Sequence, residues 1–274
     1  KFKKIIEKIK TENFESIGIG FLHSYANSKN ENILKKYILE NLPGVEVSIS
    51  SDVCPEIREY ERFTTTMINA YIKPLMSNYL KKLDYELKEK GFNCPLLLMT
   101  SGGTLTNVSS ACNNPVRLVE SGPAGGAILA TSIANDLNLN KVISFDMGGT
   151  TAKITIIEDK KAIKAREFEV DRKARFKKGS GFPLRIPVIE MVEIGAGGGS
   201  IARVNKLEQI ITGPDSAGSL PGPACYSNGG TLPTITDADL VIGKINPENF
   251  AGGKIKLSKD LATDAITKNI SQIV

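Results

Sequence analysis

The chain has 274 residues, 41% hydrophobic and 24% charged, which excludes a mainly disordered chain, a collagen-like repeat and a disulfide-dense miniprotein. Its 35 basic and 30 acidic residues leave a formal charge of +5, too mild for a dedicated nucleic-acid binder, and no Trp is present to build a stacking platform for single strands. One histidine, His23, and four scattered cysteines, Cys54, Cys94, Cys112 and Cys225, argue against a zinc site, a CxxC redox pair and a histidine-based triad. Reduced thiols in a cytoplasmic protein are expected.

No apolar run approaches the ~20 residues of a membrane span. Lys1 to Lys4 is basic, but no apolar stretch follows, so it does not read as a signal peptide. The chain has no initiator Met and breaks off within a helical pattern at Ile270 to Val274, as expected of an internal piece of a longer protein.

Phe2, Ile5, Ile6 and Ile9 recur at helical spacing. Ile17 to Leu22 reads as a buried strand with His23 at its end. Ser28 and Glu31 fit a capping box opening a helix with Ile33, Leu34, Tyr37 and Ile38 on one face, stopped by Pro43-Gly44. Val45, Val47 and Ile49 alternate as a strand. This order predicts an α/β fold with a largely parallel sheet. Residues 56–90 read as long helix through Tyr60, Phe63, Met67, Tyr71, Leu75, Tyr79, Leu83 and Leu87, with Pro74 expected to kink or split it. Gly91 fits its end. Leu96 to Met99 is a further strand leading into Ser101-Gly102-Gly103. Ser121-Gly122-Pro123 then opens a helix through Ile128, Leu129 and Ile133.

The second half changes character. Val142 to Phe145 is read as a buried strand, and Ile154 to Ile157 resumes one after Asp146 to Thr151. Asp159-Lys160 turns, and Ala162 to Val170 returns, as in a hairpin. Ile186 to Ile194 and Ile201 to Val204 are strands either side of Gly195 to Ser200. Thr236-Asp237 starts a helix ended by Gly243. Ser258 caps a last helix with Leu261, Ala265 and Ile270 inward.

Two glycine-rich turns could carry chemistry. In Asp146-Met147-Gly148-Gly149-Thr150-Thr151 a strand ends in a carboxylate, followed by two glycines and two hydroxyls. Asp146 could hold Mg2+, with Thr150, Thr151 and successive N–H groups meeting phosphate oxygens. Equally, this is a hairpin turn in which Asp146 bonds its own backbone. Gly195 to Ser200 is neither GxGxxG nor a P-loop, and it reads either as backbone pressed against a nucleotide or as a tight strand-to-strand turn. Ser121 to Gly126 could accept an anion or serve close helix packing. Arg172, Lys173, Arg175, Lys177 and Lys178 form a solvated loop or a lid over phosphates. Glu190 and Glu193 fall at odd spacing on one strand, so they face opposite sides, and Glu193 beside the glycines is the better catalytic candidate.

Taken together, the stretches ESGPAGG from Glu120 to Gly126, FDMGGTTAK from Phe145 to Lys153 and EIGAGGGSIA from Glu193 to Ala202 resemble the hydantoinase A / 5-oxoprolinase family, which includes acetone and acetophenone carboxylase subunits. Gly222 to Tyr226 and Thr236 to Asp239 follow in the expected order. The resemblance runs from Gly20 to Tyr25 onward.

The resemblance implies an actin-like ATPase fold of the sugar kinase and Hsp70 type, with residues 1–55 the later part of a first lobe. Residues 56–274 would then form the hydantoinase A domain, with long helices over 56–90 and a second lobe over 95–274. It implies ATP and Mg2+ as cofactors, phosphorylation of an amide or carbonyl oxygen, and a hydantoinase B-type partner subunit. The substrate would be a small cyclic amide or, in a carboxylase, a ketone. A non-catalytic ATP-binding module is the third reading.

On this resemblance Asp146 and Glu193 are catalytic, with Asp146 also the metal ligand. Gly148, Gly149, Thr150, Thr151, Lys153, Gly197, Gly198, Gly199 and Ser200 would hold the cofactor. The first lobe's phosphate hairpin is not in this sequence, so the chain alone is expected not to turn over ATP. Lys153 stands where much of the family has Asp, which argues against a metal or base role at that position and for pairing with a phosphate. Glu190-Met191-Val192 stands where many relatives have Asp-x-His, which weakens a hydantoinase or oxoprolinase substrate assignment.

Overall fold

The computed structural model describes residues 2–174 and 177–274; Lys1 and Arg175, named above, lie outside them. The chain divides into two compact units, residues 1–142 with 157–190, and residues 143–156 with 191–274.

The first unit opens with α1 (Phe2–Glu12), β1 (Ser16–Ile19), α2 (Lys29–Asn41), β2 (Glu46–Ile49), α3 (Ser50–Val53) and α4 (Glu59–Glu89). β1 and β2 pair in parallel, Ile17 opposite Val47 and Ile19 opposite Ile49. Ile6 and Ile9 of α1 and Leu34 and Ile38 of α2 close over Ile19 and Ile49 as one core.

The expected capping box is not formed. Ser28 takes a helical backbone (φ −78°, ψ −2°) and makes no side-chain cap. Glu31 instead turns inward, fully buried, and accepts the Phe21 N–H at 2.9 Å, the Ser51 N–H at 2.9 Å and the Ser50 hydroxyl at 2.6 Å. Fully buried Arg62 joins the same network, donating to Ser50 Oγ at 3.2 Å and to the carbonyls of Glu56 and Phe21, each at 2.9 Å. Burial works to raise the Glu31 carboxyl, but the hydrogen bonds from Ser50, Ser51 and Phe21 outweigh it and hold the carboxyl below its ordinary value. His23 lies in the turn after β1 with φ +56°, and its carbonyl accepts the N–H groups of Ala26 and Asn27.

α4 continues unbroken past Pro74. Tyr60, Met67, Tyr71, Leu75 and Tyr79 are exposed, Tyr71 by 85%. The buried side is polar because it covers strand and helix ends that need donors. Lys73 Nζ donates to the Val47 carbonyl at 3.0 Å and pairs with Glu46 at 3.1 Å, and Ser77 Oγ donates to the Cys112 carbonyl at 3.1 Å. Thr64, Thr65 and Thr66 satisfy their hydroxyls on carbonyls one turn back in α4 itself.

β3 (Leu97–Met99) and β4 (Leu105–Asn107) form an antiparallel hairpin through Ser101-Gly102-Gly103. α5 (Val108–Asn113), a 3-10 turn at Pro115–Leu118 and α6 (Ser121–Asp136) follow. Ala124, Ala127 and Ala134 form the buried side of α6, while Leu129 and Ile133 are exposed. Gly122 has nothing within 4 Å of an added Cβ, so close helix packing does not account for it.

β5 (Lys141–Met147) and β6 (Ala152–Glu158) are hydrogen-bonded neighbours. Asp159 and Lys160 turn the chain with φ +48° and +61°, as a two-residue hairpin loop requires. The return is broken into β7 (Lys161–Ala162), β8 (Lys164–Ala165) and β9 (Phe168–Val170), each with a different partner. β10 (Phe182–Leu184) pairs β9, and β11 (Val188–Ile189) pairs β8. The strand expected over 186–194 is therefore two: β11, and β12 (Val192–Ile194), which pairs β6. Glu190 lies in the break, so Glu190 and Glu193 do not share a strand.

In the second unit β12, β6 and β5 run in that order, β5 at the edge. β13 (Ser200–Val204) pairs β14 (Ile210–Ser216), and α7 (Ile235–Val241) and α8 (Lys259–Ile266) follow. Cys225, Leu240, Leu257 and Ala262 form the core here. Ser258 Oγ caps α8 on the Leu261 N–H at 3.3 Å, as expected, but Leu261 faces out and Ala262 faces in. The parallel pairing expected from the order of elements over residues 2–49 is found in β1 with β2, as a two-stranded sheet, while the registers of β3 with β4, β6 with β7 and β12, β8 with β11, β9 with β10 and β13 with β14 are antiparallel. Among the described residues no helix is long and apolar enough to cross a membrane.

Candidate functional site

β5 delivers Asp146 to the Gly148 to Thr151 turn, where the Gly148 N–H donates to the Thr151 carbonyl at 2.9 Å. The strand is not buried, as its sequence suggested. Its position at the sheet edge leaves Ile143 70% and Phe145 56% exposed. Asp146 and Thr150 are exposed and Thr151 is half-buried. Among the described residues no hydrogen bond or ion pair engages the Asp146 carboxylate, so the backbone-bonded alternative is not what this turn does.

The second glycine-rich segment lies directly on the first. The Gly198 N–H donates to the Gly148 carbonyl at 2.9 Å and the Gly199 N–H to the Gly149 carbonyl at 2.8 Å. A Cβ on Gly197 would fall 2.6 Å from the Thr150 nitrogen and 2.7 Å from both the Gly148 oxygen and the Gly149 carbonyl carbon. Only glycine allows so close an approach of two backbones. The remaining groups of the segment are also tied. The Gly197 N–H meets Ser200 Oγ at 2.9 Å, the Ser200 N–H meets the Gly197 carbonyl at 2.9 Å, and the Ala217 N–H meets the Gly199 carbonyl at 2.8 Å. The segment joins β12 to β13, strands of different sheets, so it is not a tight turn between paired strands.

Two residues that the sequence did not single out for the site hold this arrangement. Thr236 donates both its N–H and its hydroxyl to the Gly198 carbonyl, each at 2.8 Å. Asp237, fully buried, accepts the Thr234 N–H and hydroxyl at 2.8 Å and the Cys225 N–H at 2.8 Å, which pins the start of α7 to residues 224–226. The signal was present as Thr234-x-x-Asp237, a capping box that is fully formed. Burial and then the neighbouring Asp237 push the Cys225 thiol up, which disfavours the thiolate that a nucleophile needs.

Lys153 of β6 and Glu193 of β12 are register partners across the antiparallel pair, which places two candidate residues side by side on one sheet face. Ser200 is buried at the start of β13. Among the described residues there is no group of three or more His, Cys, Asp or Glu able to hold a metal ion. A single exposed carboxylate fits Mg2+ in its usual mode, in which phosphates and water supply the remaining ligands. Of the basic loop, Arg172 pairs with Glu169 at 3.4 Å, and Glu169 accepts the Gly179 N–H at 2.8 Å, so these contacts organise the loop on itself.

An Asp-Met-Gly-Gly-Thr turn with a triple-glycine segment docked on it defines an α/β protein with a backbone-built site. The Hydantoinase/oxoprolinase family profile matches residues 62–274, and the chain belongs to that family. It is 46% identical over 274 residues, 99% of its length, to 40% of an uncharacterized protein of Methanocaldococcus jannaschii. It is 33% identical over 270 residues to the caprolactamase subunit alpha of Pseudomonas jessenii, covering 97% of this chain and 37% of that one. Among solved structures it is similar to nucleotide-free acetone carboxylase (TM-score 0.71, 28% identity, 97% of this chain and 37% of that chain). It is also similar to the ATP-dependent caprolactamase of Pseudomonas jessenii (TM-score 0.72, 32% identity, 96% of this chain and 37% of that chain). The chain thus spans about two fifths of the length of these relatives.

Proposed function

We propose that this chain is the phosphate-binding part of an ATP-dependent cyclic-amide hydrolase, built on an actin-like ATPase fold. The observation that carries the reading is the docking of Gly197 to Gly199 on the turn at Gly148 to Thr150. It fixes an exposed turn that combines a carboxylate, hydroxyls and backbone N–H groups. Residues 1–55 would complete the later part of a first lobe, and 56–274 the hydantoinase A domain.

In this reading ATP transfers its γ-phosphoryl group to the amide oxygen of a small ring, ADP departs, and water then opens the ring with release of phosphate. Mg2+ carried by the nucleotide would supply charge neutralisation, and Asp146 would hold it. Thr150 and Thr151 would donate to phosphate oxygens with the turn's N–H groups. Gly197, Gly198, Gly199 and Ser200 spend their own N–H groups inside the protein, so their part is to set the shape of the turn. Glu193, with Lys153 opposite, would act on the amide or the attacking water. Relatives named as subunits support a partner subunit, which in this reading is of the hydantoinase B type. Four cysteines without disulfides suit a reducing cytoplasm.

The test is amide-dependent phosphate release by the full-length polypeptide with its partner. Asp146→Ala is expected to lower turnover by roughly 100-fold or more, the scale of losing one preorganised electrostatic contact. Equal turnover in mutant and parent at saturating Mg2+ would refute the role. Ketone-dependent, bicarbonate-requiring turnover in place of amide turnover would move the protein to the carboxylase branch.

A further inference from the structure

A cavity of about 150 Å³ opens in the first unit between the β3–β4 hairpin, α5 and the 3-10 turn at Pro115–Leu118. Thr100, Thr104, Thr106, Ser110, Asn114 and Arg117 supply its polar lining, and no carboxylate does. That set is four hydroxyls, a carboxamide and a guanidinium, rich in donors and carrying one positive charge.

The walls are fixed by buried groups. Ser101 holds the Arg117 carbonyl with its N–H at 2.8 Å and its hydroxyl at 2.7 Å. Asn69, fully buried in α4, accepts the Val116 N–H at 3.1 Å and donates to the Asn113 carbonyl at 3.1 Å. Thr100 Oγ1 and Thr104 Oγ1 lie 2.8 Å apart, and the Thr104 N–H also donates to Thr100 Oγ1 at 3.2 Å. Donation from Thr100 to Thr104 leaves the Thr104 proton for a ligand. Arg117 is exposed, and among the described residues no carboxylate pairs with it.

We propose that this cavity binds a small oxyanion, inorganic phosphate or a short carboxylate. Arg117 supplies the opposing charge, and Thr104, Thr106, Ser110 and Asn114 supply hydrogen bonds. Arg117 can present two parallel donors to such a group. The volume lies below the ~300 Å³ at which drug-sized pockets begin, which suits a small anion. None of the residues assigned above to the nucleotide takes part.

The test is calorimetric titration of the chain with sodium phosphate and, separately, sodium acetate at constant ionic strength. Saturable one-to-one binding of at least one anion is expected. Arg117→Gln should weaken it at least tenfold and Thr104→Val several-fold, both with an unchanged circular dichroism spectrum. Asp146→Ala should leave it unaltered, which separates this cavity from the nucleotide site. Tighter acetate than phosphate would assign the site to a carboxylate, and the reverse to phosphate. Absence of saturable binding by either anion, or binding unaffected by Arg117→Gln, would overturn the proposal.

Discussion

Gly197→Ala inserts one methyl group where two backbones meet. Its Cβ would lie 2.6–2.7 Å from the Thr150 nitrogen, the Gly148 oxygen and the Gly149 carbonyl carbon. These are backbone atoms, so no rotamer change relieves the overlap. Either the strain stays, at about 1–3 kcal/mol, or the segment lifts. Lifting gives up the bonds from Gly198 to Gly148 and from Gly199 to Gly149, each worth about 1 kcal/mol. The two routes cost about 1–3 and about 2 kcal/mol, and at roughly 2–4 °C per kcal/mol the thermal midpoint should fall by about 2–12 °C, with the middle of that range expected. Gly149→Ala is the matched control, because an added Cβ there has nothing within 4 Å. It should change stability by no more than about 1 kcal/mol in either direction. Thermal unfolding followed by circular dichroism gives the midpoints, and amide exchange at Gly198 and Gly199 reports the docking itself. If Gly197→Ala matches Gly149→Ala in both readouts, the docking is not close and the account of the site fails.

Glu31→Gln should destabilise the first unit by about 2–4 kcal/mol, because a buried acceptor of three hydrogen bonds loses its charge. The folded carboxyl sits below its ordinary value of 4.5, so its contribution is full above that value and is lost as pH falls through the lowered value. Denaturant melts from pH 3 to 7 should therefore show the gap between mutant and parent narrowing only on the acid side. The exposed row on α4 should bind a hydrophobic dye, and Tyr71→Ser with Leu75→Ser should reduce the fluorescence while leaving the melting temperature within about 2 °C. Under native alkylation Cys94, the exposed cysteine, should react first, while Cys54, Cys112 and Cys225 react only on unfolding; early labelling of Cys225 would contradict the burial assigned to it.

Motifs with strong local chemistry were legible in the sequence. The Asp159-Lys160 turn, the Ser258 cap, the paired strands at 17–19 and 47–49 and the family itself were all readable from residue types at short spacing. Reading failed where distant partners decide the outcome. Glu31 looked like a cap residue, but Ser50, Ser51 and Phe21 recruit it inward. The Tyr60 to Tyr79 spacing marked a helix but not its buried side: α4 presents its donors inward, where carbonyls of β2 and α5 need them. At the site, both glycine-rich segments were visible as motifs. That they dock on each other, and that Thr236 secures the contact, depends on pairing across long sequence separations that no local pattern encodes.

The most direct test of the central claim is an amide-resolved NMR titration of the chain with Mg·ADP, repeated with Asp146→Ala. The account predicts the largest shifts at Gly149, Thr150 and Thr151. It predicts smaller shifts at Gly197 to Gly199, whose N–H groups are already bonded, and loss of the Mg2+-dependent part of the affinity in the mutant. Shifts that leave the 148–151 turn untouched, or a mutant with unchanged Mg2+ dependence, would contradict it.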